Sequence, residues 1–65
     1  MRSFKYNRDV QLPSGVTVVP CEFINEGIIN HLDEEGCDTS IFYLWGDYLY
    51  VKQFGSRLYC RIQVD

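Results

Sequence analysis

The stretch SIFYLWGDYLYVKQFGSRLYCRIQV, residues 40–64, decides the fold. Two short links that begin with glycine, Gly46-Asp47 and Gly55-Ser56, divide it into Ser40–Trp45, Tyr48–Phe54 and Arg57–Val64. Two-residue links with glycine first are the pattern of a type II′ turn, whose twist suits the strands it joins. Such links also set register, placing 45 opposite 48, 43 opposite 50, 54 opposite 57 and 52 opposite 59. The stretch is therefore expected to form a three-stranded antiparallel meander.

That register sorts the side chains. One face collects Phe42, Leu44, Leu49, Val51, Gln53, Leu58, Cys60, Ile62 and Val64, which is almost wholly apolar and should be the core face. The other collects Ile41, Tyr43, Trp45, Tyr48, Tyr50, Lys52, Phe54, Arg57, Tyr59, Arg61 and Gln63, with aromatic bodies, polar tips and three cations.

Upstream, Phe4, Tyr6, Val10 and Leu12 alternate with polar residues, and Val16, Val18 and Val19 follow after Pro13-Ser14-Gly15. The pattern predicts a second hairpin, with its later strand ended by Pro20. Between Pro20 and Glu35 the period changes: Cys21, Ile24, Ile28 and Leu32 fall on one stripe at 100° per residue, and Glu22, Glu26 and Asp33 on another. This predicts an amphipathic helix that starts either at Pro20 or at Asn25, a good N-cap, and stops at Gly36. The expected architecture is α+β, ββαβββ in order: an antiparallel sheet of about five strands with one helix on its apolar face, all one domain spanning 1–65.

Composition bounds the function. Sixty-five residues, 46% hydrophobic and 23% charged, suit one small globular domain. No apolar run approaches a membrane span, and the polar start MRSFKYNRDV lacks the apolar core of a signal peptide, so a cytoplasmic protein is expected. Three cysteines, Cys21, Cys37 and Cys60, fit that compartment as reduced, mostly buried thiols. A Cys21/His31/Cys37/Cys60 metal tetrad matches no common ligand spacing, and neither metal nor cofactor is expected. His31 has no nucleophile at motif spacing, and Cys37 beside Asp38 has no neighbouring cation to activate it, so no catalytic residue is assigned.

Charge is unevenly spread along the chain. Residues 1–20 carry +2, residues 21–40 carry −6 with no Lys or Arg, and residues 41–65 carry +1, for a net charge of −3. A one-signed segment holding Glu22, Glu26, Asp33, Glu34, Glu35 and Asp38 would steer a basic protein surface toward it. Its plain alternative is a solvated helix face. The aromatic face has three readings: cross-strand pairing of Trp45 with Tyr48 and Tyr43 with Tyr50, a protein interface, or a base-stacking platform. An acidic chain makes direct nucleic-acid binding the least favoured of these.

A short acidic chain built from CEFINEGIINHLDEEGCD and the meander, without a catalytic motif, resembles the small phage-encoded inhibitors of bacterial defence, the anti-CRISPR proteins among them. The resemblance implies a viral, stoichiometric inhibitor of a Cas effector, often a type I Cascade-like complex, that acts in the host cytoplasm and blocks target DNA binding. By that resemblance, Glu22, Glu26, Asp33, Glu34, Glu35 and Asp38 would be a partial DNA mimic facing Lys and Arg of the DNA-recognition channel. Tyr43, Trp45, Tyr48 and Tyr50 would be a second contact face. A monomer is favoured, and the alternatives are a small nucleic-acid-binding module or a dimerising accessory subunit.

Overall fold

A computed structural model describes residues 6–63. Five strands and one helix follow in the order β1 (Tyr6–Val10), β2 (Thr17–Pro20), α1 (Glu26–Glu34), β3 (Ile41–Trp45), β4 (Tyr48–Lys52) and β5 (Tyr59–Gln63). The strands form a single antiparallel sheet in the order β1-β5-β4-β3-β2. The fold is the α+β arrangement expected, with the helix against the apolar face.

The meander keeps the register its first turn imposes. Tyr43 lies opposite Tyr50, Trp45 opposite Tyr48 and Lys52 opposite Tyr59. Gly46 has φ +60°, and Asp47 is not among the positive-φ residues, as a type II′ turn requires. The second link departs from expectation. The ladder ends where the Gln53 N–H donates to the Leu58 carbonyl (3.1 Å), leaving residues 54–57 as a four-residue loop, so 54 and 57 do not pair. The Phe54 N–H turns away to the Gly36 carbonyl (3.0 Å), and Lys52 Nζ donates to the Gln53 and Ser56 carbonyls. A competing acceptor outside the hairpin, the Gly36 carbonyl, and the Lys52 ammonium held on carbonyls at the loop's own ends thus favour the open loop.

The predicted N-terminal hairpin does not form. Ser14-Gly15 is a turn, with φ +83° at Gly15, yet β1 pairs with β5 and β2 with β3 at opposite edges of the sheet. Seven Cα steps from Val10 to Thr17 reach at most about 25 Å. The edges of a flat five-stranded sheet lie about 19 Å apart, and the link must also return one strand length. A link containing a turn can meet both demands only if the sheet twists and curls, bringing its edges nearer.

Distant partners hold β1 in this place. Between Asn7, opposite Arg61, and Val10, opposite Tyr59, the strand carries one extra residue. Asp9 in this bulge takes φ +59°, a left-handed conformation that Asp tolerates better than most side chains. Its N–H donates to Gln53 Oε1 (2.7 Å), and Gln53 Nε2 donates back to Asp9 Oδ1 (3.0 Å). The extra residue also reverses side-chain parity: Tyr6 packs against the core, while Val10 lies opposite Tyr59 of the other face. Phe4 and Val64, read above as strand residues, lie outside the described residues.

The helix begins at the later of its two possible starts. Cys21–Phe23 form a single 3-10 turn, Ile24 is extended, and Asn25 caps α1 by accepting the Gly27 N–H (2.7 Å). Gly27 is thus a first-turn residue, and a Cβ there would sit 3.0 Å from the capping oxygen. At the other end Gly36 takes φ +84°, with Cys37 N–H bonded to the Leu32 carbonyl (3.1 Å) and Gly36 N–H to that of Asp33 (3.2 Å). These two bonds make a Schellman stop. Nine residues are marginal as an isolated helix, so packing holds α1 in place. Leu32 is buried with Cys37, Phe42, Leu49, Val51, Cys60 and Ile62, and Cys21, Ile24, Ile28 and Ile29 close around them. Full burial of one large aliphatic side chain contributes about 1.5–3 kcal/mol.

Leu44, assigned to the core face, lies near its open margin and is 36% exposed. Gln53 is the one buried polar residue among those described. Gln53→Ala leaves the Asp9 N–H and carboxylate without their partner and is expected to destabilise the fold by about 1–3 kcal/mol, read from the urea midpoint.

Candidate interaction surfaces

The six acids of the central segment do not act as one group. Glu22 precedes α1 in the 3-10 turn, while Glu26, Asp33 and Glu34 lie along α1; all four are exposed and pair with no cation among the described residues. Glu35 is already engaged: Arg8 Nη1 reaches its carboxylate at 3.3 Å and donates to its carbonyl at 2.8 Å. Both side chains are substantially exposed, so the pair itself contributes little. Its effect is to spend one acid of the six and to tie β1 to the helix C-terminus.

Asp38 is also committed locally. Its Oδ1 accepts the Ser40 hydroxyl (2.6 Å) and the Ser40 N–H (3.1 Å) in the loop that leads into β3. These two bonds to the charged form hold the carboxyl below its ordinary range. The free acidic surface is therefore Glu22, Glu26, Asp33 and Glu34, a stripe along the outside of α1 and the turn before it.

Two exposed phenylalanines lie at the ends of that stripe, and sequence pattern did not single them out as contacts. Phe23 follows Glu22 and is 73% exposed; Phe54, whose N–H binds the Gly36 carbonyl beyond the helix C-terminus, is 65% exposed. The helical wheel already puts Phe23 outside the apolar stripe, which was the available signal. Phe54 looked like a strand residue until the hairpin opened.

The aromatic face is largely occupied with itself. Tyr43 and Tyr59 meet edge to face across β4, with ring centroids 6.0 Å apart. The Arg61 guanidinium lies 4.5 Å over the Tyr48 ring and donates to Asn7 Oδ1 (3.2 Å). Tyr50, between Tyr43 and Arg61 in the ladder, is only 3% exposed. With Lys52 turned onto backbone carbonyls, two of the three cations on this face have internal partners. What stays open is an apolar margin: Trp45 (45% exposed), Ile41 (43%) and, opposite Tyr43 on β2, Val18 (55%). Cross-strand pairing thus accounts for Tyr43, Tyr48 and Tyr50, and Trp45 alone of the four presents substantial free surface.

On the helix side of the sheet, Cys37, Cys60 and the Tyr6 hydroxyl cluster in the core, with Sγ–Sγ 2.8 Å and Tyr6 Oη 3.2 Å from Cys60 Sγ. Burial, then the hydrogen bond with Cys60, pushes the Cys37 thiol up to about 12. Burial likewise raises the Tyr6 phenol far above its ordinary value. All three cysteines are free thiols, Cys21 half-buried and the other two buried. His31 stacks edge to face on Tyr6, with centroids 5.3 Å apart. Among the described residues, no helix is long and apolar enough to cross a membrane.

Comparison with protein-family models, with curated proteins and with solved structures found no match to this chain.

Two pH dependences follow from these groups. The Asp38 carboxyl is depressed in the fold, so its contribution is present above the unfolded carboxyl pKa and is lost as pH falls through the folded value. Ser40→Ala removes the hydroxyl but keeps the backbone N–H, and is expected to raise the Asp38 titration, followed by NMR, part of the way back to the ordinary range. The Cys37 thiol is raised, so its contribution is intact below the unfolded thiol value of 9.0 and is lost as pH rises from there toward about 12. Thermal melts should weaken across that alkaline window, less so in Cys37→Ala once its lower starting stability is subtracted.

Proposed function

We propose that this protein is a stoichiometric binding protein that inhibits by occlusion, engaging a basic protein surface through the outer side of α1. The carrying observation is that Glu22, Glu26, Asp33 and Glu34 stay exposed with no cation partner among the described residues, while Glu35 and Asp38 are held internally. Local stability does not call for this arrangement, since Asp33 and Glu34 sit at the helix C-terminus, where the backbone dipole disfavours anions.

Charge density bears on how such a surface would work. From Glu26 to Glu34 the helix rises about 12 Å. Duplex DNA carries about seven phosphates over that length, whereas α1 presents three acids. Charge alone is therefore too thin for full mimicry of DNA, and affinity has to come from buried anchors. The exposed Phe23 and Phe54 suit that role, because aromatic side chains that become fully desolvated carry much of the energy at protein interfaces.

The anti-CRISPR resemblance supplies the specific form of the proposal. The acids face Lys and Arg of the DNA-recognition channel of a type I Cascade-like complex in the host cytoplasm, and target DNA is excluded. Neither catalysis nor a cofactor enters this reading.

The test is target-duplex binding by guide-loaded type I complexes, with and without equimolar protein. Loss of DNA binding is the expected result, and a panel of such complexes left unaffected at excess inhibitor overturns the target assignment. The charge reversal D33K/E34K is expected to slow association about tenfold at low salt and to flatten its salt dependence. An unchanged on-rate and salt slope rejects the acidic surface as the contact. Single-stranded DNA binding that is lost in Trp45→Ala moves the function to the sheet face instead.

A further inference from the structure

The Cys37–Cys60–Tyr6 cluster has no part in the proposed binding surface. Cys37 and Cys60 are 23 positions apart in sequence, yet their sulfurs are 2.8 Å apart inside the core. They arrive from opposite flanks of β4: Cys37 bridges Gln53, and Cys60 lies opposite Val51. The Tyr6 hydroxyl reaches both, 3.2 Å from Cys60 Sγ and 4.0 Å from Cys37 Sγ. The sulfurs lie within about 1 Å of the covalent S–S length of about 2.05 Å, and because the two residues flank β4, forming the bond also draws their backbones toward the Cα separation of about 4.4–6.8 Å that a disulfide needs. Cys21, the third cysteine, makes no sulfur contact of this kind among the described residues.

We propose that Cys37 and Cys60 are an oxidisable pair, a site of reversible disulfide formation that fastens the C-terminal end of α1 to the centre of the sheet. The position of Cys37 makes this consequential. It is the residue whose N–H closes the helix stop on Leu32, two positions beyond Glu35. Cys60 belongs to β5, paired on both sides. A bond between them encloses β3 and β4 and fixes the acidic end of α1 relative to the sheet.

The oxidant is a low-molecular-weight disulfide. The thiolate of one cysteine attacks a sulfur of the oxidant, breaking its S–S bond, releasing one small thiol and leaving a mixed disulfide on the protein. The second cysteine thiolate attacks the protein sulfur of that mixed disulfide, forms the Cys37–Cys60 bond and expels the second small thiol. The protein loses two electrons and two thiol protons, and the oxidant gains both. Exchange proceeds through thiolates, and both sulfurs are fully buried, so the reaction follows opening of the cluster and is slow in the closed fold.

The test uses the full chain, reduced and then incubated with oxidised glutathione. The expected product has lost the mass of two hydrogens, and protease digestion joins the peptides containing residues 37 and 60. Its melting temperature should rise on the order of 10 °C and return to the starting value with dithiothreitol. Cys21→Ser should keep the whole response. Cys37→Ser and Cys60→Ser should each lose it. A glutathione adduct on Cys21 with Cys37 and Cys60 still thiols overturns the proposal. So does a bond that joins Cys21 to either, or a Cys37–Cys60 bond that leaves the melting temperature unchanged or lower. The outcome is independent of whether D33K/E34K alters partner binding.

Discussion

A buried side-chain amide must have its donors and acceptors filled, and at Gln53 that requirement ties the fold together. The side chain is 4% exposed and exchanges two hydrogen bonds with Asp9. Its backbone N–H closes the β4–β5 ladder on Leu58, and its ladder partner on the other flank is Cys37, just past the helix stop. Three segments, at Asp9, Cys37 and Leu58, thus converge on one residue. The bulge in β1 follows from this, because the left-handed turn at Asp9 brings N–H and carboxylate together onto the same amide. A hydrophobic residue at 53 would suit the alternation of β4 just as well, but it would leave β1 without its anchor.

What the sequence disclosed divides along the line between local and distant causes. The Gly46-Asp47 turn and the alternation after it needed only neighbours, so the central register of the meander and its core residues Phe42, Leu49, Val51, Cys60 and Ile62 were legible. The apolar stripe of α1 was legible for the same reason, and the choice of Asn25 over Pro20 came down to one capping oxygen. The N-terminal hairpin was misread because Pro13-Ser14-Gly15 does bend the chain. Local pattern carries no trace of the pairings that draw β1 away: Tyr6 with Cys60, Asp9 with Gln53, Arg61 with Asn7. The opened loop at 54–57 has the same origin, since the Gly36 carbonyl that captures Phe54 lies 18 residues upstream.

The candidate surfaces were less legible than the fold, for a related reason. Sequence locates six acids and four meander aromatics, but not which of them find partners. Arg8 reaching Glu35 and Ser40 holding Asp38 reduce the acids to four, while Arg61 over Tyr48 and Tyr59 against Tyr43 draw most of the aromatics inward. Among the described residues, Phe23, Phe54 and Trp45 are the large exposed rings. Arg8 from the first strand and Arg61 from the last, with Ser40 and Tyr59, thus shape which anions and rings remain available to another molecule.

The outer strands of the sheet bear on how the protein behaves at high concentration. An unpaired strand edge is a template for addition of further chains. At one margin β2 ends in Pro20, which has no N–H to offer a newcomer, and spans only four residues. At the other, the Asp9 bulge breaks the regular spacing of β1, and Asn7, Arg8 and Asp9 are exposed polar or charged side chains. Among the described residues, neither edge offers the long, flat, apolar ribbon on which fibrils grow. The bulge that lets β1 reach Gln53 therefore also guards a small β-rich chain against stacking on copies of itself.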